Sequence, residues 1–239
     1  MNRLLLIAAC SLITLSSCHW VFHQIHGSGN VVTDSRTFSN FTGVEVGSAI
    51  ELYVKQDSAY SVKVETDDNL QQYIEIDQSE NTLRIRERRN VNLRPTGAIK
   101  VYVSAPQFTY LDVSGASRII GQNVLSNSSR LDIGLSGASS GELELKTPQV
   151  KAGISGASTI MLTGETKDLS IEASGASGAK CFGLLSENAD VDASGASHAE
   201  VYGSVKINAI ASGASDVYYK GAGAITKDES GAGSVRKAD

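Results

Sequence analysis

The sequence predicts an all-β protein folded as a β-solenoid, a parallel β-helix in which the chain winds in coils of about 19 residues. Three observations predict this fold: a recurring tetrapeptide, a period-two hydrophobic pattern around each copy, and a glycine at a fixed place in every repeat. The 239-residue chain also contains 23 glycines and only three prolines, a composition that suits tight β turns.

The tetrapeptide Ser-Gly-Ala-Ser occurs six times in the second half of the chain. The first serines of successive copies, including a degraded seventh copy at 230–234, are 22, 19, 19, 20, 18 and 18 residues apart. A fixed period near 20 residues is typical of repeat proteins, in which each unit buries its apolar face against its neighbours. The complete copies occupy residues 114–117, 136–139, 155–158, 174–177, 194–197 and 212–215.

Hydrophobic residues alternate with polar or small ones on both sides of each copy. When the first serine is counted as position zero, positions −5, −3 and −1 are almost all apolar, as in Leu131, Ile133 and Leu135. The same parity continues through positions +1, +3, +5 and +7. It predicts that the motif glycine, the second motif serine and residues such as Cys181 point inward. Each repeat is therefore two strands joined by a narrow corner.

Glycine is expected at this corner because it has no side chain to collide there and adopts dihedral angles that other residues avoid. Successive coils would pair in parallel about 4.8 Å apart, so that like residues stack over like. The alternative is a β-sandwich of regularly spaced strands, which the identical turn chemistry of every repeat disfavours. The expected corner glycines are Gly115, Gly137, Gly156, Gly175, Gly195 and Gly213.

The N-terminal residues have the pattern of a bacterial lipoprotein signal peptide. Residues 1–17 begin with Arg3 and continue through an apolar stretch that is short for a bilayer span. Two serines then precede Cys18, so we expect cleavage before Cys18, lipidation of its thiol, and anchoring in the bacterial cell envelope at the outer membrane. Ordinary secretion with an incidental Cys18 is the alternative. Residues 18–30 are expected to be a solvated tether.

Residues 31–110 are predicted to be a β-rich part that lacks the tetrapeptide and caps the solenoid of residues 111–235. Within it, residues 44–54 alternate around Gly-Ser-Ala and are interpreted as an early coil. The charged residues 227–229 and 236–239 are expected to blunt the opposite end. With a formal net charge of −5 and a lipid anchor, the chain is not expected to bind nucleic acid.

Three parts of the chain resemble a known family. Residues 27–32 (Gly-Ser-Gly-Asn-Val-Val), residues 36–44 (Arg-Thr-Phe-Ser-Asn-Phe-Thr-Gly-Val) and the Ser-Gly-Ala-Ser coils are similar to the bacterial family called "putative auto-transporter adhesin, head GIN domain". The resemblance covers residues 31–235. It implies an exported protein, often a lipoprotein, that folds as a right-handed parallel β-helix, and it carries over no catalytic motif.

A pair of carboxylates is the first candidate for a ligand site. Stacking places Glu172 and Asp192 at position −2 of adjacent coils, where they could bind a cation or flank a sugar. Their column continues with Gly134 and Gly153 on one side and with Ile210 on the other, so no larger acidic cluster is expected. We therefore predict no metal site, no cofactor and no catalytic residue.

A second candidate lies on the outward face that follows the corner. His198 is the one histidine of the coils, with Ser177 and Ser215 nearby, and a Ser-His-Asp arrangement through Asp216 of the next coil is conceivable. No nucleophile elbow accompanies it, however, which favours a surface histidine. Tyr202 and Tyr218 lie toward the same end of this face and are a candidate patch for stacking on a sugar.

These observations favour a non-enzymatic, lipid-anchored envelope protein whose rigid surface serves adhesion by binding another envelope protein or a glycan. Its expected partners are that protein or glycan and the membrane, through lipidated Cys18. Two alternatives use the same scaffold. One is a carbohydrate-active enzyme or glycan-binding module, and the other is a structural or oligomeric component of the envelope.

Overall fold

The computed structural model describes residues 23–239 of the chain. These residues form strands throughout, with one turn of 3-10 helix at Gln71–Tyr73 and no α-helix. Stacked parallel strands build a β-solenoid of about seven turns, which confirms the predicted fold class. The expected signal peptide and Cys18 lie outside the described residues.

The strands fall into two groups. The N-terminal group comprises β1 (His23–His26), β2 (Val31–Arg36), β3 (Gly43–Val46), β4 (Ile50–Gln56), β5 (Ser61–Asp67), β6 (Ile74–Ser79), β7 (Thr82–Glu87), β8 (Val91–Arg94) and β9 (Ile99–Ala105). The repeats comprise β10 (Tyr110–Val113), β11 (Arg118–Gly121), β12 (Leu125–Ser126), β13 (Arg130–Leu135), β14 (Ser140–Ile154), β15 (Thr159–Ala173), β16 (Gly178–Ala193), β17 (His198–Tyr202), β18 (Lys206–Ala211), β19 (Asp216–Lys220), β20 (Ala224–Glu229) and β21 (Ser234–Lys237).

Each strand of the repeats pairs in parallel with a strand one coil away, with equivalent residues side by side. Val113 lies beside Leu135, Leu135 beside Ile154, and Ile154 beside Ala173. All four residues are at position −1 of their repeats. Aligning the sequence on its tetrapeptides therefore reproduces the structural register.

The hydrophobic core is a thin column inside the coils. All residues at positions −3 and −1 of the six repeats are buried, and so are most at +5 and +7, among them Cys181. Because a small residue such as alanine often occupies these positions in the later coils, the walls of the tube lie close together there. Burial of these side chains is the main force that holds the coils together.

The corner differs from the predicted parity in one respect. The second serine of each motif is buried as expected, whereas the glycine and alanine are exposed. Glycine is required because its backbone has a positive φ, +77° at Gly137. A Cβ atom there would also lie 2.5 Å from the carbonyl oxygen of Gly115. The prediction that these glycines point into the tube is wrong, because the corner is instead a place where stacked backbones approach closely.

Hydrogen bonds join the corners into a continuous ladder. From the second motif onward, the alanine N–H donates to the glycine carbonyl of the preceding coil, as from Ala138 to Gly115 and from Ala157 to Gly137, both at 2.7 Å, while Ala116 of the first motif donates to the Ser48 carbonyl. The buried serine hydroxyls are also paired, and Ser215 Oγ donates to the Ala193 carbonyl at 2.9 Å. A buried hydroxyl without a hydrogen-bond partner would destabilise the fold. The serine at position +3 therefore requires the hydrogen bonds that the stacked corners provide.

The N-terminal part caps the solenoid, but its layers do not follow chain order. Strands β3 and β4 form the early coil that was predicted from residues 44–54, and they pair in parallel with β10 and β11. On the opposite side they pair in parallel with β7 and β9, which come later in the chain. Antiparallel strands then complete the end: β6 pairs with β7, β5 pairs with β9, and β2 pairs with β5.

Residues 23–30 are built into this cap and do not form the free tether expected for residues 18–30. Strand β1 pairs in parallel with β8, and the Gly27 N–H donates to the Arg94 carbonyl at 2.9 Å. The Gly29 N–H donates to the buried carboxylate of Asp67 at 2.8 Å. Strand β1 is held in the cap because Ile25, which lies between polar neighbours, packs its side chain against the core.

The last coil carries charged side chains at positions that are apolar elsewhere. Lys227 lies beside Ala209, and Glu229 lies beside Ala211. The Lys227 ammonium group is 3.2 Å from the Glu229 carboxylate, which also accepts a hydrogen bond from the Val235 N–H. The expectation that charged residues blunt this end agrees with the structure.

Candidate ligand-binding groove

The strand face just before the corners carries a column of acidic residues with a gap in its middle. Residues at position −2 lie side by side along it, and most of the column is acidic. The two glycines in the gap contribute no side chains of their own; the Asp112 carboxylate covers the first, Gly134, and the wall is open at the second, Gly153. The column runs Glu45, Asp112, Gly134, Gly153, Glu172, Asp192 and Ile210.

The gap and the corner serines form an open groove of about 440 Å³ that crosses five coils. A Cβ atom on Gly153 would meet nothing within 4 Å, so the floor there is open. The Asp112 carboxylate leans over Gly134, since a Cβ on that glycine would lie 2.2 Å from its Oδ1. The first serines of four motifs form one side of the groove: Ser136, Ser155, Ser174 and Ser194.

The charges in the groove are not equivalent. Burial raises the pKa of Asp112, and the nearby Glu45 carboxylate raises it further. Glu172 forms an ion pair with Lys151 at 2.8 Å, but both side chains are about half exposed, so the pair contributes little to stability. Asp192 makes no ion pair within residues 23–239. The groove therefore presents mainly hydrogen-bond acceptors and negative charge.

The second candidate group lies beyond the corner, on a different strand face. His198 Nε2 is 3.1 Å from a carboxylate oxygen of Glu200 on the same strand, and its ring lies 5.3 Å from that of Tyr218. Tyr202 continues this strand and lies beside Lys220 of the next coil. The corner 194–197 separates these residues from Glu172 and Asp192. The structure thus divides the five predicted residues between two faces.

The serine, histidine and aspartate considered as a possible catalytic group are not joined by hydrogen bonds, although His198 lies beside Asp216 in the strand register. The Ser177 hydroxyl is buried and donates to the Ile154 carbonyl at 3.2 Å. The Asp216 carboxylate accepts a hydrogen bond from the Ser234 hydroxyl, while His198 is paired with Glu200. Within residues 23–239 there is also no group of three or more side chains placed to bind a metal.

Two further groups were not singled out from the sequence. Asp112 belongs to the same column as Glu172, and the two-glycine gap between them was the signal that could have identified it. The rings of Tyr53 and Tyr102 stack with their centroids 4.9 Å apart on the face that carries Tyr218 at its other end. That pair could not be predicted, because it depends on β9 lying beside β4 against chain order.

Comparison with known proteins decides the family. A family model described as "putative auto-transporter adhesin, head GIN domain" matches residues 40–223, well over half of the chain. The chain belongs to this family. Membership of the head GIN domain family confirms the resemblance seen in the sequence and indicates an extracellular or cell-envelope protein with an adhesin-like role. Within residues 23–239, no helix has the length and apolar character needed to cross a bilayer.

Solved structures share the head GIN domain fold over their full length. A "putative adhesin" from Bacteroides fragilis NCTC 9343 has a TM-score of 0.83 at 18% identity, covering 90% of this chain and 100% of that one. A "putative lipid binding protein" from Parabacteroides distasonis ATCC 8503 has a TM-score of 0.72 at 23% identity, with coverages of 90% and 100%. At such identities the likeness shows the fold alone. A search of curated proteins finds no match.

Proposed function

We propose that this head GIN domain protein is a non-enzymatic, lipid-anchored protein of the cell envelope that binds a ligand in the position −2 groove. The observation that carries the proposal is the open channel between Asp112 and Glu172, where two consecutive coils have glycine in place of a side chain. A chain of sugar rings or an extended peptide could lie along it, across the coils.

The chemistry of the groove favours a ligand that is rich in hydrogen-bond donors. The carboxylates of Asp112, Glu172 and Asp192 can only accept hydrogen bonds when they are ionised, and the serine hydroxyls can accept as well as donate. A neutral or amine-bearing glycan meets these requirements, whereas an anionic glycan would be repelled. The ladder of corner hydrogen bonds keeps the groove rigid, so little conformational entropy is lost on binding.

Two features support binding without catalysis. Ser177, His198 and Asp216 each form hydrogen bonds with residues outside this group, so no activated nucleophile is present among them. Glu172 is held by Lys151 at the outer surface and is exposed to solvent, a poor environment for a general acid. The raised pKa of Asp112 is the one observation that favours the alternative, a carbohydrate-active enzyme.

A glycan array probed with wild type and variants tests the groove. We expect binding of neutral or amine-bearing glycans, and Glu172→Ala and Asp192→Ala should each weaken it about tenfold or more. Glu144→Ala is the matched control, because it removes an exposed carboxylate on another face and should leave binding unchanged. Equal losses in all three variants, or a preference for sulfated glycans, would refute the groove.

Product analysis on the same glycans distinguishes binding from catalysis. The proposal expects every bound glycan to be recovered intact after prolonged incubation. Cleavage that disappears in Asp112→Asn would establish the carbohydrate-active alternative instead.

Anchoring through Cys18 is tested separately. Two serines before Cys18, after an apolar stretch, support lipidation and export to the outer membrane. Metabolic labelling with a fatty acid should mark the wild type and not Cys18→Ser, and only the wild type should sediment with membranes. A membrane-bound, labelled Cys18→Ser variant would contradict the anchor.

A further inference from the structure

The cap of the solenoid has an outer layer of two strands, and the N-terminal end of the described chain belongs to this layer. Strands β1 and β8 run in parallel and form what we call the β1–β8 ribbon (residues 23–26 and 91–94). Its inner face packs Ile25, Val91 and Leu93 on the core. The outer face therefore carries the alternate residues of both strands, Gln24, His26, Asn92 and Arg94.

The chain enters the domain at this ribbon. His23, the first described residue, lies beside Val91, next to the turn at Arg89 and Asn90. Only four residues, 19–22, lie between Cys18 and His23, so five residue-to-residue steps join the two. At no more than about 3.6 Å per step, these reach about 18 Å at most.

Hydrogen bonds hold this entry point firmly against the cap. The Asn30 amide donates to the Asp68 carboxylate at 2.9 Å, and the Ser28 hydroxyl donates to the same carboxylate. Asn69 donates from its side chain to the His26 carbonyl at 2.8 Å. A pull or a lipid anchor at Cys18 therefore acts on the ribbon itself and sets which side of the domain faces the bilayer.

The arginines near the ribbon divide into paired and unpaired ones. Arg84 pairs with Glu45, and Arg86 and Arg88 both pair with Glu75. Arg89 and Arg94 are exposed and make no ion pair within residues 23–239.

Two acidic residues, at the end of β5 and just after it, face the entry point. The exposed Asp68 accepts hydrogen bonds from Ser28 and Asn30, and the buried Asp67 accepts one from the Gly29 N–H. Arg94 on the outer face and Arg89 at the turn before β8 thus carry exposed positive charges on a protein whose formal net charge is −5.

We propose that the β1–β8 ribbon rests on an anionic lipid surface, with Arg89 and Arg94 contacting headgroup phosphates. The proposal rests on the lipidation proposed for Cys18, which brings the ribbon within reach of the bilayer. Cationic side chains next to a membrane attachment point are drawn to the negative surface potential of anionic lipids, and the attraction falls off within a Debye length. Docking in this way orients the solenoid, with its C-terminal coils farthest from the membrane and the groove open to the side.

The test uses the lipidated full chain carrying Asn92→Cys, with a fluorophore on that residue, and vesicles that contain a headgroup-linked quencher. Flotation with vesicles first confirms the anchor. We then expect strong quenching on vesicles containing phosphatidylglycerol and several-fold weaker quenching on phosphatidylcholine alone or at high salt. Arg89→Glu with Arg94→Glu should reduce the quenching on anionic vesicles to the phosphatidylcholine level. The control pair Arg236→Glu with Lys237→Glu, at the far end, should have no effect.

The outcomes separate the inference from the anchor. A chain that does not float refutes the anchor, and the docking with it. A chain that floats but is quenched equally on both vesicles overturns the docking and leaves the anchor intact. Release by inorganic phosphate, but not by chloride of equal ionic strength, would assign the arginines to a phosphate site and would also overturn it. Unchanged melting of the Arg89→Glu/Arg94→Glu variant verifies that it is folded.

Discussion

A Cβ atom on Gly175 would lie 2.7 Å from the carbonyl oxygen of Gly156, its counterpart one coil earlier. Real side chains essentially never approach a backbone oxygen so closely. The same glycine has φ +75°, where residues with a side chain are strained. At every corner of the repeats, the glycine is constrained both by this close approach to a backbone oxygen and by a positive φ.

We therefore expect Gly175→Val to destabilise the protein by about 2–4 kcal/mol, through backbone strain and overpacking. Gly153→Val is the matched control, because its Cβ would meet nothing within 4 Å and valine favours strands. The free energies of unfolding from urea titrations measure both. Equal unfolding midpoints for the two variants would mean that the corner is not constrained as described.

Asp67 predicts acid sensitivity at the cap. Its side chain is 1% exposed, and burial by itself would raise its pKa. Hydrogen bonds from the Thr96 N–H and hydroxyl, and from the Gly29 N–H, outweigh burial and lower the pKa. A lowered pKa in the folded state means that this contribution to stability is complete above about pH 4, the usual pKa of aspartate, and is lost as the pH falls further.

The Asp67→Asn variant should lose this contribution at neutral pH, with a lower melting temperature, and its stability should fall less steeply between pH 4 and pH 2. Asp228→Asn, at an exposed site that makes no ion pair within residues 23–239, is the comparison. Parallel stability profiles for wild type and Asp67→Asn across that acidic range would exclude the role given to Asp67.

The buried thiol of Cys181 predicts a native state without accessible thiols. Its side chain is fully buried, and burial raises its pKa to about 12, so the reactive thiolate is scarce. In the mature chain, with Cys18 lipidated or replaced by serine, a thiol reagent should label Cys181 only at the rate at which the protein opens. Labelling should become complete and rapid in denaturant. Fast labelling of the native protein would indicate an open seam in the coils.

The charged last coil predicts a monomer. Lys227→Val combined with Glu229→Val would continue the apolar columns of Ala209 and Ala211 to the exposed edge of β20. Such an edge pairs readily with other strands, so the double variant should self-associate as its concentration rises. Sedimentation velocity should show the wild type as a single species at every concentration. A sedimentation coefficient of the wild type that increases with concentration would favour the oligomeric alternative.

Most of the repeat architecture was predictable, because one parity rule governs every coil. The rule correctly placed Leu131, Ile133, Leu135 and Cys181 inside. It failed at the motif glycine, since alternation assumes an extended chain and a positive φ interrupts it. The cap was only partly predictable: residues 44–54 follow the rule, but their neighbours on the outer side come from a later stretch of chain.

The candidate site was predictable only as pairs of neighbours. Register alone places Glu172 beside Asp192, which the structure bears out. Whether the side-chain columns before and after a corner lie close together depends on the angle of the backbone at that corner. No pattern of residue types encodes this angle. The groove was missed because its defining feature is an absence of side chains at Gly134 and Gly153, which the sequence shows only as two small residues.

Because β3 and β4 end up between β7/β9 and β10/β11, assembly of this protein cannot proceed by adding windings one after another from the N-terminus. The first winding to be synthesised becomes the second layer, and it acts as a template on both sides at once. The strands on one side of it, β7 and β9, are complete only when the ribosome has passed residue 105. The strands on the other side, β10 and β11, are synthesised directly afterwards. The growing chain thus keeps two unpaired sheet edges until that point.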